Sequence, residues 1–186
     1  MLSSIMFKNQ DESINKDLET KRLILRAPNV GDREKIFFMR TDVRLNQYIK
    51  RSPPTTLQEV EAFIKDRLKD RKEGNAIYWV IALKDAPEQC IGAISLWQFS
   101  EDRKTAEVGY DLLPVYQGKS IMSEALQAVV GFGKQDLALD RIEAYTHKEN
   151  KSSIRLLQRN QFFLTDQSDS AVTTNRVYAI ENLITR

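Results

Sequence analysis

The chain has 186 residues, 41% of them hydrophobic and 29% charged, with a formal net charge of +2. That length and balance predict one domain with room for a proper core, and a charge so small, with no basic run, argues against general nucleic-acid binding. One cysteine and one histidine, Cys90 and His147, rule out an intrachain disulfide and leave too few ligands for a Cys/His zinc site, so no metal is expected.

Residues 1–17 read as a polar leader without the charged start and long apolar run of a secretory signal. No window approaches eighteen consecutive apolar residues, so no membrane span is expected and the expected compartment is the cytoplasm. Residues 18–186 form the expected single domain. Residues 22–27 (RLILRA) alternate and predict a first strand, ended by Pro28. Asn29 or Asp32 caps a helix to about residue 40. Pro53 and Pro54 bar helix. Thr55 or Thr56 then caps one whose Leu57, Val60, Phe63, Ile64 and Leu68 share a face. Its second half, residues 65–73 (KDRLKDRKE), alternates in sign like a solvated face.

Residues 77–83 and 91–97 are apolar strands joined by a turn through Asp85 and Pro87. Residues 105–113 complete an antiparallel meander. Cys90, beside the second strand, reads as a small core or edge residue rather than a nucleophile. A helix from about 118 to 137 follows, with Ile121, Met122, Ala125, Leu126 and Val129 as its buried stripe. Then come a strand at 142–146 and a helix at 150–160 with Ile154, Leu156 and Leu157 inward. Strands at 162–165 and 176–183 close the chain. The order defines an α+β (mixed α/β) fold with helices on both faces of the sheet.

The stretch 105–126 (TAEVGYDLLPVYQGKSIMSEAL) carries the chemistry. It is a strand that stops at a proline, a short polar loop and a helix. A helix start there presents unpaired N–H groups and the positive end of the helix dipole, which suit a phosphate group. Gly118-Lys119-Ser120 resembles the tail of a Walker A loop, but that motif needs a glycine where Leu113 stands. The N–H groups from Gln117 to Met122 can instead curl around a pyrophosphate, with Gly118 allowing close approach and Lys119 adding charge at the rim. On this segment alone, an ordinary strand–helix turn with a solvated lysine fits as well.

A family resemblance adds to this. Gln117-Gly118-Lys119 with its surroundings is similar to the acetyl-CoA-binding motif of the GNAT N-acetyltransferases. Glu107-Val-Gly-Tyr-Asp-Leu-Leu-Pro114, Tyr116-Gln-Gly-Lys119 and Met122-Ser-Glu-Ala-Leu126 resemble its RimJ/RimL branch, which acetylates protein N-termini and has relatives acting on small amines. Asn150-x-x-Ser153-Ile-Arg-Leu-Leu-Gln-Arg-Asn-Gln-Phe162 resembles the second CoA motif, and Leu18-Glu-Thr-Lys-Arg-Leu-Ile-Leu-Arg26 the opening of the branch. The sequence departs from the family pattern at Ser120 and Gln161, where glycine is usual, and at Met122, where glycine or alanine often stands. The glycine before Phe162 ordinarily takes the left-handed conformation. Asn160 is the next-best residue for it, so the helix is expected to end one position early.

The resemblance implies a mostly antiparallel sheet with a splayed strand pair and direct acetyl transfer from acetyl-CoA to a primary amine. Attack requires a base to take the amine proton, an N–H donor for the thioester oxygen and a proton for the departing thiolate. It implies that Leu112 and Leu113 pair with the pantetheine arm, the Leu112 N–H polarising the thioester, and that Gln117, Gly118, Lys119, Ser120, Ile121 and Met122 hold the pyrophosphate. Glu107 is the leading base and Asp111 its alternative. The tyrosine that many relatives use as acid is replaced by Leu157, which leaves Ser153 for the role. Asn150 contacts the pantetheine and caps its helix. His147, at a strand end close by, is either a structural residue or a proton relay. The acceptor, a peptide N-terminus or a small amine, is expected between the helices of residues 32–72 and the hairpin of 166–176. A homodimer fits the family. The lost tyrosine also fits a non-catalytic acetyl-CoA sensor.

Overall fold

The computed structural model describes residues 16–169 and 172–182. Nearly all of the polar leader lies outside them, as do residues 170–171 of the last hairpin and residues 183–186. In chain order the elements are β1 (Leu18–Glu19), β2 (Leu23–Arg26), a 3-10 turn (Val30–Asp32), α1 (Arg33–Thr41), α2 (Val43–Asn46), α3 (Leu57–Glu73), β3 (Ile77–Leu83), β4 (Gly92–Trp97) and β5 (Thr105–Leu112). They continue with a second 3-10 turn (Pro114–Tyr116), α4 (Ile121–Gln135), β6 (Arg141–His147), α5 (Lys151–Arg159), β7 (Phe163–Ser168) and β8 (Asn175–Glu181).

All eight strands form one sheet in the order β1-β2-β3-β4-β5-β6-β8-β7. Each neighbouring pair is antiparallel except β5 and β6, which run parallel. That exception follows from the α4 crossover, since a helix between two strands returns the chain in the same direction.

Two cores lie on opposite faces of the sheet, as expected for helices on both sides. The larger packs α4 and α5 against Trp79, Ile81, Ile94, Leu96, Ala106 and Val108. There Trp79 meets Phe132 edge-on, ring centroids 5.5 Å apart. The smaller packs Ile36, Met39, Val60 and Ile64 of α1 and α3 against Val80, Cys90 and Ala93. Strand alternation assigns residues to faces. On β5, Ala106, Val108, Tyr110 and Leu112 join the α4/α5 core, so Glu107, Gly109 and Asp111 turn toward α1 and α3.

The helix starts follow local chemistry. Thr56 caps α3 through the Glu59 N–H, and Gly74 ends it in the left-handed region at φ 71°. Asn29 and Asp32 form a capping box, and buried Asp32 also takes a two-pronged ion pair from Arg26 at 2.7 and 2.8 Å. Cys90 is buried just before β4; burial pushes its thiol up to about 12, which disfavours the thiolate.

Four expectations are corrected. Leu68 is 40% exposed and lies at the margin of the buried face of α3. The charged run 65–73 is not all solvated: Arg71 is buried with its guanidinium over the Trp79 ring, and Arg67 is half-buried over Phe63. The helix expected from residue 118 begins at Ile121, because the chain first turns through positive φ at Gly118 and Ser120. At the end of α5 it is Gln161, at φ 66°, that takes the left-handed position; Asn160 stays at φ −99°. Asn160 is held there by its own bonds. Its Nδ2 donates to the Leu156 carbonyl, and its Oδ1 accepts from Ser123 and Gln127 of α4.

Candidate active site

The β5–β6 pair is the centre of the site. The two strands are in register at Thr105–Arg141, Ala106–Ile142 and Glu107–Glu143, and beyond Glu107 no further pairing joins them. The Leu113 N–H donates to the Ile91 carbonyl at 3.0 Å. With the Gly92–Leu112 register, this makes Gly92–Leu112 and Ile94–Tyr110 the pairs whose backbone groups do not bond each other. The N–H and C=O of Tyr110 and Leu112 therefore face the gap. The Leu112 carbonyl is already taken by the Gln117 side-chain amide at 2.9 Å.

The loop after β5 is braced from below. The first α4 bond runs from the Glu124 N–H to the Ser120 carbonyl at 3.1 Å, so the N–H groups of Ile121, Met122 and Ser123 have no acceptor within the helix. Ile121 and Met122 bury their side chains and offer only backbone to this end. Ser120 occupies the left-handed region at φ 59°, as the glycine it replaces would, and its hydroxyl does not cap the helix. Lys119 sits with its ammonium 5.7 Å from the Tyr116 ring centroid. Arg22, which sequence reasoning had not singled out, donates to the Lys119 carbonyl at 3.1 Å and to Glu124 at 2.6 Å. Glu124 also accepts from Thr20 and from the Arg22 N–H, so the β1–β2 turn fastens the start of α4.

On the α4/α5 face, Asn150 caps α5 by accepting from the Ser153 N–H at 3.1 Å. The Ser153 hydroxyl lies 2.8 Å from that of Tyr110, and burial raises the Tyr110 phenol to about 12. Tyr110 was missed as a site residue. The available signal was its parity: it alternates with Glu107 along β5 and so points to the opposite face.

On the α1/α3 face, Glu107 stands beside Glu143 of β6 and near Asp169. Burial, then the charges of Asp169 and Glu143, raise its carboxyl to about 7 against a partly offsetting hydrogen bond from Trp97. Asp111 is ion-paired with Arg51 at 3.1 Å. His147 stacks on Tyr48, ring centroids 5.1 Å apart, and its Nδ1 accepts from the Glu149 N–H at 3.2 Å. A cavity of about 720 Å³ joins these groups. Its lining includes Glu107 and Asp111 from one face and Tyr110 and Ser153 from the other, so it reaches through the gap in the sheet. Phe63 of α3, Asp169 and Val172 of the β7–β8 connection and Asn175 at the start of β8 supply further walls. Among the described residues, no group of three His, Cys, Asp or Glu side chains could hold a metal ion, and no helix is long and apolar enough to cross a membrane.

Comparison with known proteins agrees with this architecture. The model of the acetyltransferase (GNAT) domain family matches residues 22–162. The uncharacterized N-acetyltransferase YoaA of Bacillus subtilis (strain 168) is 30% identical over 145 residues, 78% of this chain and 81% of that one. The ribosomal-protein-serine acetyltransferase of Escherichia coli is 34% identical over 99 residues, 53% of this chain and 55% of its own. Among solved structures, an acetyltransferase (GNAT family) from Bacillus anthracis superposes with a TM-score of 0.76 at 21% identity, covering 89% of this chain and 98% of that one. The chain belongs to the GNAT family and is similar to its ribosomal-protein acetyltransferase branch. It transfers acetyl from acetyl-CoA to an amine acceptor.

Proposed function

We propose that the chain is a cytoplasmic N-acetyltransferase in which the amine enters from the α1/α3 face and acetyl-CoA from the α4/α5 face, meeting in the gap between β5 and β6. The observation that carries this reading is the cavity through that gap, with a carboxylate on one side and a hydroxyl pair on the other. The N–H groups from Gly118 to Met122 hold the pyrophosphate, aided by the α4 dipole and Lys119; the Gln117 N–H, expected among them, is taken by the Pro114 carbonyl at 3.1 Å. Leu112, on the open edge of β5, and Asn150 align the pantetheine arm, which adds to that edge like a strand; Leu113, expected to share this role, does not, because its N–H is bonded to the Ile91 carbonyl and its carbonyl to the Tyr116 N–H, each at 3.0 Å.

Glu107 takes the proton of the attacking ammonium. A carboxyl poised near 7 suits this task, since it is largely ionised just above neutrality yet basic enough to accept a proton. Asp111 is the poorer base because Arg51 already holds its charge. The Leu112 N–H donates to the oxygen that gains charge as the carbon–nitrogen bond forms. Ser153 donates its proton to the departing sulfur, and Tyr110 orients and resupplies it.

The test is a calorimetric titration with acetyl-CoA followed by a thiol-release assay over N-terminal peptides and small amines. Binding by acetyl-CoA and CoA but not ATP, with turnover lost in Glu107→Gln while acetyl-CoA affinity persists, is expected. Binding of ATP-Mg alone would overturn the reading. A Glu107→Gln variant as fast as wild type would overturn the base assignment.

A further inference from the structure

The α1/α3 end of the cavity carries three guanidinium groups that the acetyl-transfer chemistry does not use. Arg40 of α1, Arg51 and Arg67 of α3 all line it. Their counter-charges are few. Arg51 pairs with Asp111 at 3.1 Å and is further fixed by the Asn46 side chain and the Met39 carbonyl. Arg67 pairs with Asp70, one turn along its own helix, at 2.7 Å, and its Nε is buried without a hydrogen-bond partner. The Arg40 guanidinium forms no ion pair or hydrogen bond with any of the described residues. It lies over the Phe63 ring at 4.3 Å, while Arg67 lies 5.1 Å from the same ring. Burial and the neighbouring Arg51 hold Arg40 below the usual arginine range. Like charges gathered in a partly desolvated pocket repel one another, and an oxyanion relieves that repulsion while filling the empty donors.

This pocket is not the pyrophosphate site, because α4 packs on the opposite face of the sheet. It is continuous with Glu107 along the odd-numbered face of β5. The rise of a strand puts Glu107 and Asp111 about 13 Å apart. An amine held beside Glu107 or midway at Gly109 thus lies roughly 7–13 Å from the guanidinium end.

We infer that the acceptor is an amine carrying an oxyanion, a carboxylate or phosphate, several atoms away from the nitrogen, and that Arg40 and Arg67 bind this group while Arg51 is held in place by Asp111. The inference rests on the proposed orientation of acceptor and donor. An α-amino acid's own carboxylate is too close to its amine to reach; an ω-amino acid or the far carboxylate of a short peptide has the required span.

The test is calorimetry on the CoA-saturated protein with γ-aminobutyrate and ε-aminocaproate, each against its neutral amide, and with an ω-aminoalkyl phosphonate of matching length. The acid is expected to bind at least about tenfold more tightly than the amide, with ε-aminocaproate the better of the two acids. In Arg40→Gln and Arg67→Gln that preference should fall to about threefold or less, while acetyl-CoA affinity is unchanged. The carboxylate and phosphonate arms identify which oxyanion fits. Equal binding of acid and amide, no binding by either, or a preference that survives both substitutions would overturn the inference. Acetyl transfer to neutral and anionic amines alike would sink it and leave the acetyltransferase reading standing. Anion selectivity without acetyl-CoA binding would do the reverse.

Discussion

Glu107 is where burial and charge have been set against the ordinary behaviour of a carboxylate. Its protonation near neutrality gives two predictions of opposite sense. In its proposed role as the base the ionised form is required, so kcat/KM should rise with pH and level off above about 7, and Glu107→Gln should cost 10²–10⁴-fold, roughly the range for a lost general base. In stability the sign reverses. Between the unfolded value of about 4.3 and the folded value of about 7, the native chain binds a proton the unfolded chain does not. Unfolding free energy therefore falls as pH rises through that window and levels above it. Glu107→Gln lacks this loss and should be more stable than wild type at pH 8, by about 1–2 kcal/mol after allowance for partial solvent screening, as read by denaturant titration. A variant less active and more stable is the pattern of a site held under strain for its function. Ser120 holds a second strain of this kind. At φ 59° a serine costs about 1 kcal/mol that glycine does not, so Ser120→Gly should raise the melting temperature by a few degrees while leaving the loop in place.

At the scale of elements, the strands were the most legible part. Residues 77–83 form β3 as expected, since a seven-residue apolar run bounded by turn residues has few other solutions. The buried stripe of α4 also agrees with its periodicity in every residue named. The loop before it was legible as a turn from strand to helix, the place proposed for the anion cradle, but not in its shape. That shape depends on positive φ at Gly118 and Ser120, which no periodicity signals. A Cβ on Gly118 would meet no atom within 4 Å, so Gly118→Val acts through backbone strain and by crowding a phosphate rather than by clashing with the fold. Acetyl-CoA affinity should drop at least about tenfold with only about 1–2 kcal/mol lost in stability. Unchanged affinity would remove Gly118 from the cradle. The Arg26–Asp32 pair makes the contrasting case, because Asp32 is buried and holds both a guanidinium and the Asn29 N–H at the start of the 3-10 turn that leads into α1. Asp32→Ala should cost about 3–5 kcal/mol in chemical unfolding, since it strands a half-buried cation.

Across the whole molecule, what stayed hidden in the sequence was whatever needed two distant segments. Ser153 could be singled out from the sequence as a candidate donor, yet its Tyr110 partner lies 43 positions away and meets it only because β5 and the start of α5 share one face. Arg67 sits in a run whose alternating signs suit a solvated face, and nothing local says that Arg40 and Arg51 approach it across the cavity. Such groups are assembled by the meander and the crossover together. Single-segment patterns cannot report them.

The gap beyond Glu107 turns the sheet from a barrier into a doorway with two thresholds. On the proposed reading, the acceptor's proton is taken up on the α1/α3 side while the sulfur receives one on the α4/α5 side, so each turnover leaves the two faces a proton apart. Solvent must restore that balance before the next cycle. On the same reading the acetylated amine and free CoA depart in opposite directions, so neither has to wait for the other to leave.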